Sequence, residues 1–384
     1  MQYVDFGKTG AKVSRLGMGC MRLPEIEKDG KTEYDEEKGI ALIHRAMDLG
    51  VNYFDTALYY CDSQSEVILG KALQGGRREK VYISTKNPIE NDSGDDYEKR
   101  LETSLTKLNT SYIDFYHFWG ISLQSFNEKV KAKDGPLDRA IKLKEQGVIK
   151  HISFSFHDGS VRGKEGDLLI ELLKNGEGVL ESVLCQYNLL DRGKEPGIAL
   201  AHRMGLGTVA MGPVGGGRLG APSEAIQALL PGKVESSAEM ALRFVLSNPN
   251  VNIALSGMST IEQLEENARV ADNTSPLSSD ELKQIEAMMQ ENERLAGLYC
   301  TGCNYCMPCP QGINIPAVFS FMNYHRVYKI TDFAKYSYAQ IGKLPWMQYG
   351  NASVCNKCGE CESKCPQNIP IREQMEETHK TLAG

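Results

Sequence analysis

No run of about 18 apolar residues occurs in the chain, so no segment is expected to cross a membrane as a helix. The N-terminus, Met1-Gln2-Tyr3-Val4-Asp5, lacks the basic-then-apolar pattern of a secretion signal. Basic residues are not in excess either. Lys and Arg number 43 against 50 Asp and Glu, a formal net charge of −7, which argues against nucleic acid or an anionic membrane surface as a partner. These absences lead to the expectation of a cytoplasmic protein. With 384 residues, the chain is long enough for one large domain and a small one.

Cysteine is what the chain has in plenty. Of eleven cysteines, eight lie between Cys300 and Cys365, while Cys20, Cys61 and Cys185 are scattered. A secreted disulfide scaffold would be short and would carry a signal peptide, so the crowding points to metal and marks a domain boundary. The first group reads Cys300-x-x-Cys303-x-x-Cys306-x-x-Cys309-Pro310, the second Cys355-x-x-Cys358-x-x-Cys361-x-x-x-Cys365-Pro366. The second is the bacterial ferredoxin run, and the first differs by one residue in its last gap. Thiolates two residues apart wrap one turn, so three of them can grip one cubane. The fourth, ahead of proline, is expected on the other cluster. Two 4Fe–4S clusters are therefore expected, one on Cys300, Cys303, Cys306 and Cys365, the other on Cys355, Cys358, Cys361 and Cys309. Structural zinc usually takes two C-x-x-C knuckles, which triple repeats ending in proline do not fit. The stretch Phe319 to Leu344 is helix-compatible and is expected to separate the two halves.

In the first 290 residues, predicted strands and helices alternate. Apolar runs at Leu16–Gly19, Val51–Phe54, Val81–Thr85, Tyr112–Tyr116, Val148–Phe154, Val183–Gln186, Gly207–Met211 and Val251–Leu255 give eight strands. Leu101, Leu105 and Leu108 mark a helix between the third and fourth. The architecture expected is α/β: a TIM (β/α)8 barrel over residues 1–290, then a small α-rich, ferredoxin-like iron–sulfur domain over residues 291–384. A doubly wound sheet is the competing fold. In a barrel, chemistry belongs at the C-terminal ends of the strands. There the sequence places Asp55, Tyr60 just beyond it, Lys86, His117 and Trp119, Ser155 and His157, and Gln186. Polar residues at successive ends of otherwise apolar strands are not what surface polarity alone produces.

Phe54-Asp55-Thr56-Ala57-Leu58-Tyr59-Tyr60, Ser65-Glu66, Ser84-Thr85-Lys86 and the segment Ser256 to Asn267 together resemble the aldo-keto reductases over roughly residues 1 to 290. The string from Cys300 to Pro310 resembles the opening of a ferredoxin-like extension in one branch of that family. The resemblance implies hydride transfer between NADH or NADPH and a small carbonyl or alcohol substrate, with Tyr60 as the proton donor and acceptor. Lys86 would tune that phenol, and Asp55 would pair with the lysine. The family histidine falls at Trp119. His117, two residues earlier, points the same way about 6–7 Å deeper. Either His117 reaches the substrate oxygen, or the Trp119 indole N–H serves as donor, or carbonyl reduction is weakened.

For the nucleotide, the resemblance implies Ser155 and Gln186 at the carboxamide, Met211 against the nicotinamide, and Glu266 and Asn267 near the adenine. Gly19, Cys20, Met21, Gly212, Gly215, Ser256, Gly257, Met258 and Gln263 complete the expected contacts. Ser259-x-x-Glu262 reads as a capping box opening a helix after the eighth strand, where barrels commonly hold phosphate. Gly257 and Gln263 replace the lysine and arginine of NADP-specific relatives, which leans the expectation toward NADH. Gly215 to Gly220 matches G-x-G-x-x-G without a Rossmann unit around it, and is expected as a loop over the pyrophosphate. Residues 121–137 are expected to wall the substrate pocket.

Nicotinamide moves two electrons and a cubane one, and no flavin motif is present to couple them. Three roles stay open: a reductase with structural or sensing clusters, a ferredoxin-linked reductase whose clusters feed a substrate or flavin in the barrel, or a regulatory module that binds nucleotide without turnover.

Overall fold

The computed structural model describes residues 1–28, 31–90, 93–156, 164–215, 219, 234–273, 276–297, 300, 305–344, 347–365 and 369–384. The chain divides into two compact units, Met1–Gly216 with Ala241–Pro276, and Gly217–Met240 with Leu277–Gly384.

The first unit is a closed barrel of eight parallel strands, as expected. Its strands are β3 (Leu16–Gly19), β6 (Tyr53–Asp55), β7 (Tyr82–Pro88), β8 (Ile113–Ile121), β9 (Ile149–Phe156), β10 (Ser182–Gln186), β11 (Gly207–Met211) and β12 (Ile253–Gly257). Each stands where an apolar run predicts one. Closure comes from β12 pairing with β3, Gly257 opposite Gly19. Two antiparallel hairpins fall outside the expected eight: β1 (Tyr3–Asp5) with β2 (Lys12–Ser14), and β4 (Glu25–Lys28) with β5 (Lys31–Tyr34).

The first hairpin plugs the barrel floor. Phe6, at its turn, is fully buried and meets Tyr53 and Phe115 edge-on, at centroid distances of 5.7 and 4.9 Å. Burying such a ring contributes about 1.5–3 kcal/mol and closes the N-terminal end of the barrel. Access is left to the C-terminal ends of the strands.

Local signals set the helices between. Ser93 and Asp96 form a reciprocal capping box on Gly94–Leu108, and left-handed Asn109 ends that helix. After β12 the cap is shifted by one from the expected Ser259–Glu262 box. Thr260 caps Ile261–Asp272, its hydroxyl accepting from Gln263 N–H, while the Gln263 side chain accepts from Ser259 N–H. Ser259 instead donates its hydroxyl to the Arg22 carbonyl at 2.9 Å.

In the second unit, helices Ile315–Arg326, Thr331–Ala339 and Ile371–Leu382 surround a core that includes Val318, Phe319, Met322, Tyr338 and Met375. The first two form the helical segment expected between the cysteine groups. The backbone joins those groups: Asn314 N–H donates to Gly350 at 2.9 Å, and Gly350 N–H to Gly312 at 2.6 Å.

Candidate active site and thiol cleft

Lys86 and His117 are register partners on β7 and β8, so both face into the barrel beside Asp55 at the end of β6. The Lys86 ammonium is buried, ion-paired with Asp55 Oδ1, and donates to the Thr56 carbonyl at 2.6 Å. It lies 4.7 Å from the centre of the Tyr60 ring. Ser84, two residues before Lys86 and on the same face, donates to Asp55 Oδ2 at 2.6 Å and meets His117 Nε2 at 2.9 Å. Ser84 has one proton, and the carboxylate takes it, so His117 Nε2 carries the hydrogen. Nδ1 is left without a hydrogen bond among the described residues.

Burial works against the Lys86 ammonium, but the Asp55 carboxylate and the Tyr60 oxygen outweigh it and raise its pKa, so the amine stays protonated. For Tyr60 the balance departs from the expectation. Burial raises the phenol above its ordinary value, and the Lys86 charge, which lowers it, offsets only part of that. His117 is pushed down to about 3, first by burial and then by Lys86; the Phe154 backbone opposes them weakly. It is a neutral imidazole at any working pH.

His117 is fully buried, with Ser84 at 2.9 Å from its Nε2. Trp119 is half-buried at the rim. Its ring stands at 89° to Tyr60 with centroids 5.5 Å apart, and Tyr59 flanks it at 5.9 Å. Strand β8 runs on to Ile121 rather than stopping at Tyr116, which is why residue 119 and not 117 occupies the rim.

Hydrogen bonds fix the loop carrying Tyr60. Ser65 N–H donates to the Tyr60 carbonyl at 3.2 Å, and the Ser65 hydroxyl lies 2.7 Å from both the Cys20 carbonyl and Thr56 Oγ1. Cys20 N–H in turn donates to the Asp55 carbonyl at 2.7 Å. Sequence reading attached no role to Ser65 or Ser84, although both lie within the quoted motifs.

The residues expected at the nucleotide ring the same end. Gln186 and Met211 are register partners, both half-buried. Ser155 is buried, accepts from Gly120 N–H at 2.7 Å, and keeps its own proton to donate. Gly212 O accepts from Asn188 at 2.9 Å and from Gly215 N–H at 2.8 Å. Met21 and Gly257 are exposed and Glu266 half-buried. Three expected contacts are placed differently. Met258 is buried, so only its backbone is available; Gln263 is spent on the helix cap; and Asn267 is buried, donating to Ser256 Oγ at 3.1 Å. The Gly215–Gly220 loop, apart from Gly215 and Leu219, and His157 lie outside the described residues. Residues 121–137 include a short turn of helix and a π-helical turn that bury Phe126 and Val130.

Arg22 escaped sequence reading. Its side chain crosses Gly257, where an added Cβ would stand 3.3 Å from Arg22 Cδ. The stem of an arginine thus arrives from the loop after β3 at the position where no cation is written after β12. Barrel closure, which makes the first and last strands neighbours, is the one signal that could have suggested it.

In the second unit, Cys309, Cys355, Cys358 and Cys361 line one cleft, with Ile313, Ile315, Ile371 and Met375 among its apolar walls and Arg372 at its edge. Among the described residues, no three candidate ligands close on a single ion. Four soft thiols around an apolar cleft fit an iron–sulfur cluster, which takes thiolate ligands and is tuned by burial. The same four cysteines are one of the two expected sets. Cys300, Cys306 and Cys365 pack against the same core, and Cys303 lies outside the described residues.

Comparison with known proteins agrees with both halves. The model of the aldo/keto reductase family matches residues 15–290, and that of the 4Fe-4S dicluster domain matches residues 299–371. The uncharacterized oxidoreductase YqkF of Bacillus subtilis is 27% identical, the match covering 76% of this chain and 98% of that protein. The L-galactose dehydrogenase of Arabidopsis thaliana is 26% identical, with coverages of 75% and 94%. Among solved structures, the holo form of aldo-keto reductase AKR11C1 from Bacillus halodurans aligns with a TM-score of 0.60 at 26% identity, over 75% of this chain and 96% of that one.

Proposed function

Since the chain belongs to the aldo/keto reductase family, we propose that it is a nicotinamide-dependent carbonyl reductase in which Tyr60 gives the substrate oxygen its proton. The single observation carrying this reading is the buried Lys86 ammonium, fixed by Asp55 and set against the Tyr60 ring. NADH or NADPH would supply the hydride. The residues of the chain do the rest. Burial keeps Tyr60 protonated, so it enters the cycle as a donor. Lys86 stabilises the phenolate that forms as the proton leaves. Asp55, Ser84 and the neutral His117 hold Lys86 in place, which makes His117 a positioning residue. Trp119 packs on Tyr60 at the rim, and its indole N–H would be the donor to the substrate oxygen. Ser155 and Gln186 offer a hydroxyl and an amide to the carboxamide.

The functional test is anaerobic NADH and NADPH oxidation against a panel of small aldehydes and ketones. Tyr60→Phe is expected to abolish turnover, by 10²-fold or more on the order expected for a lost general acid, without unfolding. Retained turnover would refute proton donation by Tyr60.

The thiol cleft favours a second role. Cys358 is exposed, so a cluster held there could exchange electrons with a protein such as a ferredoxin. Titration with NADH, watched at the nicotinamide and cluster absorption bands, separates the two: cluster reduction favours transfer between the halves. A division near residue 290 belongs to the same reading and rests on where the two family matches meet; so does a cytoplasmic location, where thiols such as Cys20, Cys61 and Cys185 stay reduced.

A further inference from the structure

The geometry points to Arg372 and Glu362 as a charge pair that sets the electron affinity of one cluster, with opposite sign from each member. We infer this on the reading that Cys309, Cys355, Cys358 and Cys361 hold that cluster.

Gly359 stands between Cys358 and Cys361 with φ +83, a left-handed turn that favours glycine. A Cβ added there would lie 3.6 Å from Cζ, Nε and Nη1 of Arg372 alike. Equal distances to three atoms of a planar group mean that its face, not its edge, is turned to the backbone joining two cluster ligands. Arg372 also lines the cleft with the four thiols.

Glu362, next to Cys361, keeps it there. The Arg372 backbone N–H and Nε donate to the two Glu362 oxygens at 2.9 Å each, and Nη2 approaches Oε2 at 2.7 Å. The guanidinium is therefore fixed over the ligand turn, and the carboxylate beside Cys361, at the end of that turn.

A cubane carried by four thiolates is negatively charged, and one-electron reduction adds to that charge. A fixed cation on the ligand turn stabilises the reduced form more than the oxidised form, and a fixed carboxylate does the reverse. Arg372 is half-exposed, at 49%, so solvent and salt screen the effect and it grows as ionic strength falls.

The test is an anaerobic redox titration of the full-length holoprotein with dithionite as reductant, following each cluster by electron paramagnetic resonance. Arg372→Gln is expected to move the midpoint of one cluster to more negative potential. Glu362→Gln should move the same midpoint to more positive potential, with the other cluster unchanged in both. Shifts of one sign in both variants, or no shift with iron content retained, would overturn the proposal; a purely structural pair would give that result. If Arg372→Gln loses iron, the charge-retaining Arg372→Lys is titrated beside Glu362→Gln, and a wild-type midpoint in Glu362→Gln overturns the proposal. Cys309→Ser tests the ligand set separately: if the shifting cluster's signal survives it intact, the ligand assignment fails instead.

Discussion

The Lys86 ammonium and the Asp55 carboxylate form an ion pair inside the barrel, with side chains only 2% and 3% exposed. A charge pair so deeply buried is not there for stability, since two well-packed apolar groups would generally do as well or better. On the proposed mechanism its use lies in what the ammonium does to its other neighbour, Tyr60.

That relationship sets the pH dependence. Burial raises the Tyr60 phenol above the ordinary value of 10.0 despite Lys86, so the donor form persists through neutrality. Carbonyl reduction should be flat from about pH 6 to about pH 9 and fall only on the alkaline side. Alcohol oxidation needs the phenolate and should climb over the same range. An inflection in reduction near neutrality, in kcat/KM against pH, would assign the proton to another group.

Removing one member of the pair strands the other. Lys86→Met should cost about 3–5 kcal/mol of stability, the order seen when a buried charge loses its partner. The double variant Lys86→Met, Asp55→Asn should recover much of that loss while staying inactive. Urea midpoints measure it, and strictly additive losses would contradict the pairing.

Trp119 stands at the rim, where the family resemblance of the sequence would put a histidine. Trp119→His should raise turnover of simple aldehydes by about tenfold or more, the scale of one well-placed proton-transfer partner. No gain would mean that this barrel orients its substrate oxygen in another way.

The barrel is legible in the sequence because each of its strands is an apolar run with a helix after it. The hairpin Glu25–Lys28 with Lys31–Tyr34 is not, since its first strand is exposed along its whole length and carries no apolar alternation. The helix cap after β12 is legible to within one residue: Ser259 with Glu262 and Thr260 with Gln263 satisfy the same pattern, and only the backbone chooses. Asp55, Lys86 and Tyr60 are legible as a group, because motif order places them on adjacent strand ends. The burial of His117 is not, because alternation gives its direction but not how far β8 continues above it. Arg22 is invisible for a different reason, being separated from Gly257 by nearly the whole barrel in sequence and brought beside it only by closure.

Under the proposed function, Arg22 would bear on the choice of nucleotide. The lean toward NADH rests on missing cations at Gly257 and Gln263, yet the Arg22 stem crosses Gly257. Arg22→Leu should raise KM for NADPH about tenfold, the worth of one charge-assisted hydrogen bond, and change that for NADH by about twofold or less. Equal changes for both would place the guanidinium on the pyrophosphate they share.

Glu66 yields a stability prediction with a defined sign. Its side chain is fully buried beside the β7 end. Oε1 accepts from Thr85 at 2.7 Å, and Oε2 makes no hydrogen bond among the described residues. Burial raises its pKa above 4.5, and the Thr85 and Ser104 hydroxyls and the Lys107 and Lys86 charges offset only part of this. A carboxyl raised in the folded state contributes stability that is fully present below its unfolded pKa and is lost as pH rises through the folded value. Glu66→Gln removes that loss while keeping an acceptor for Thr85. The variant should therefore unfold at higher urea than the parent at pH 7, by about 1 kcal/mol, the lower end of the cost of an unpaired buried polar group. The advantage should vanish below about pH 4.5, where the parent's carboxyl is neutral in both states. A variant less stable than the parent at pH 7 would mean that the carboxylate is matched by cations around it, and that Lys86 has a second counter-charge.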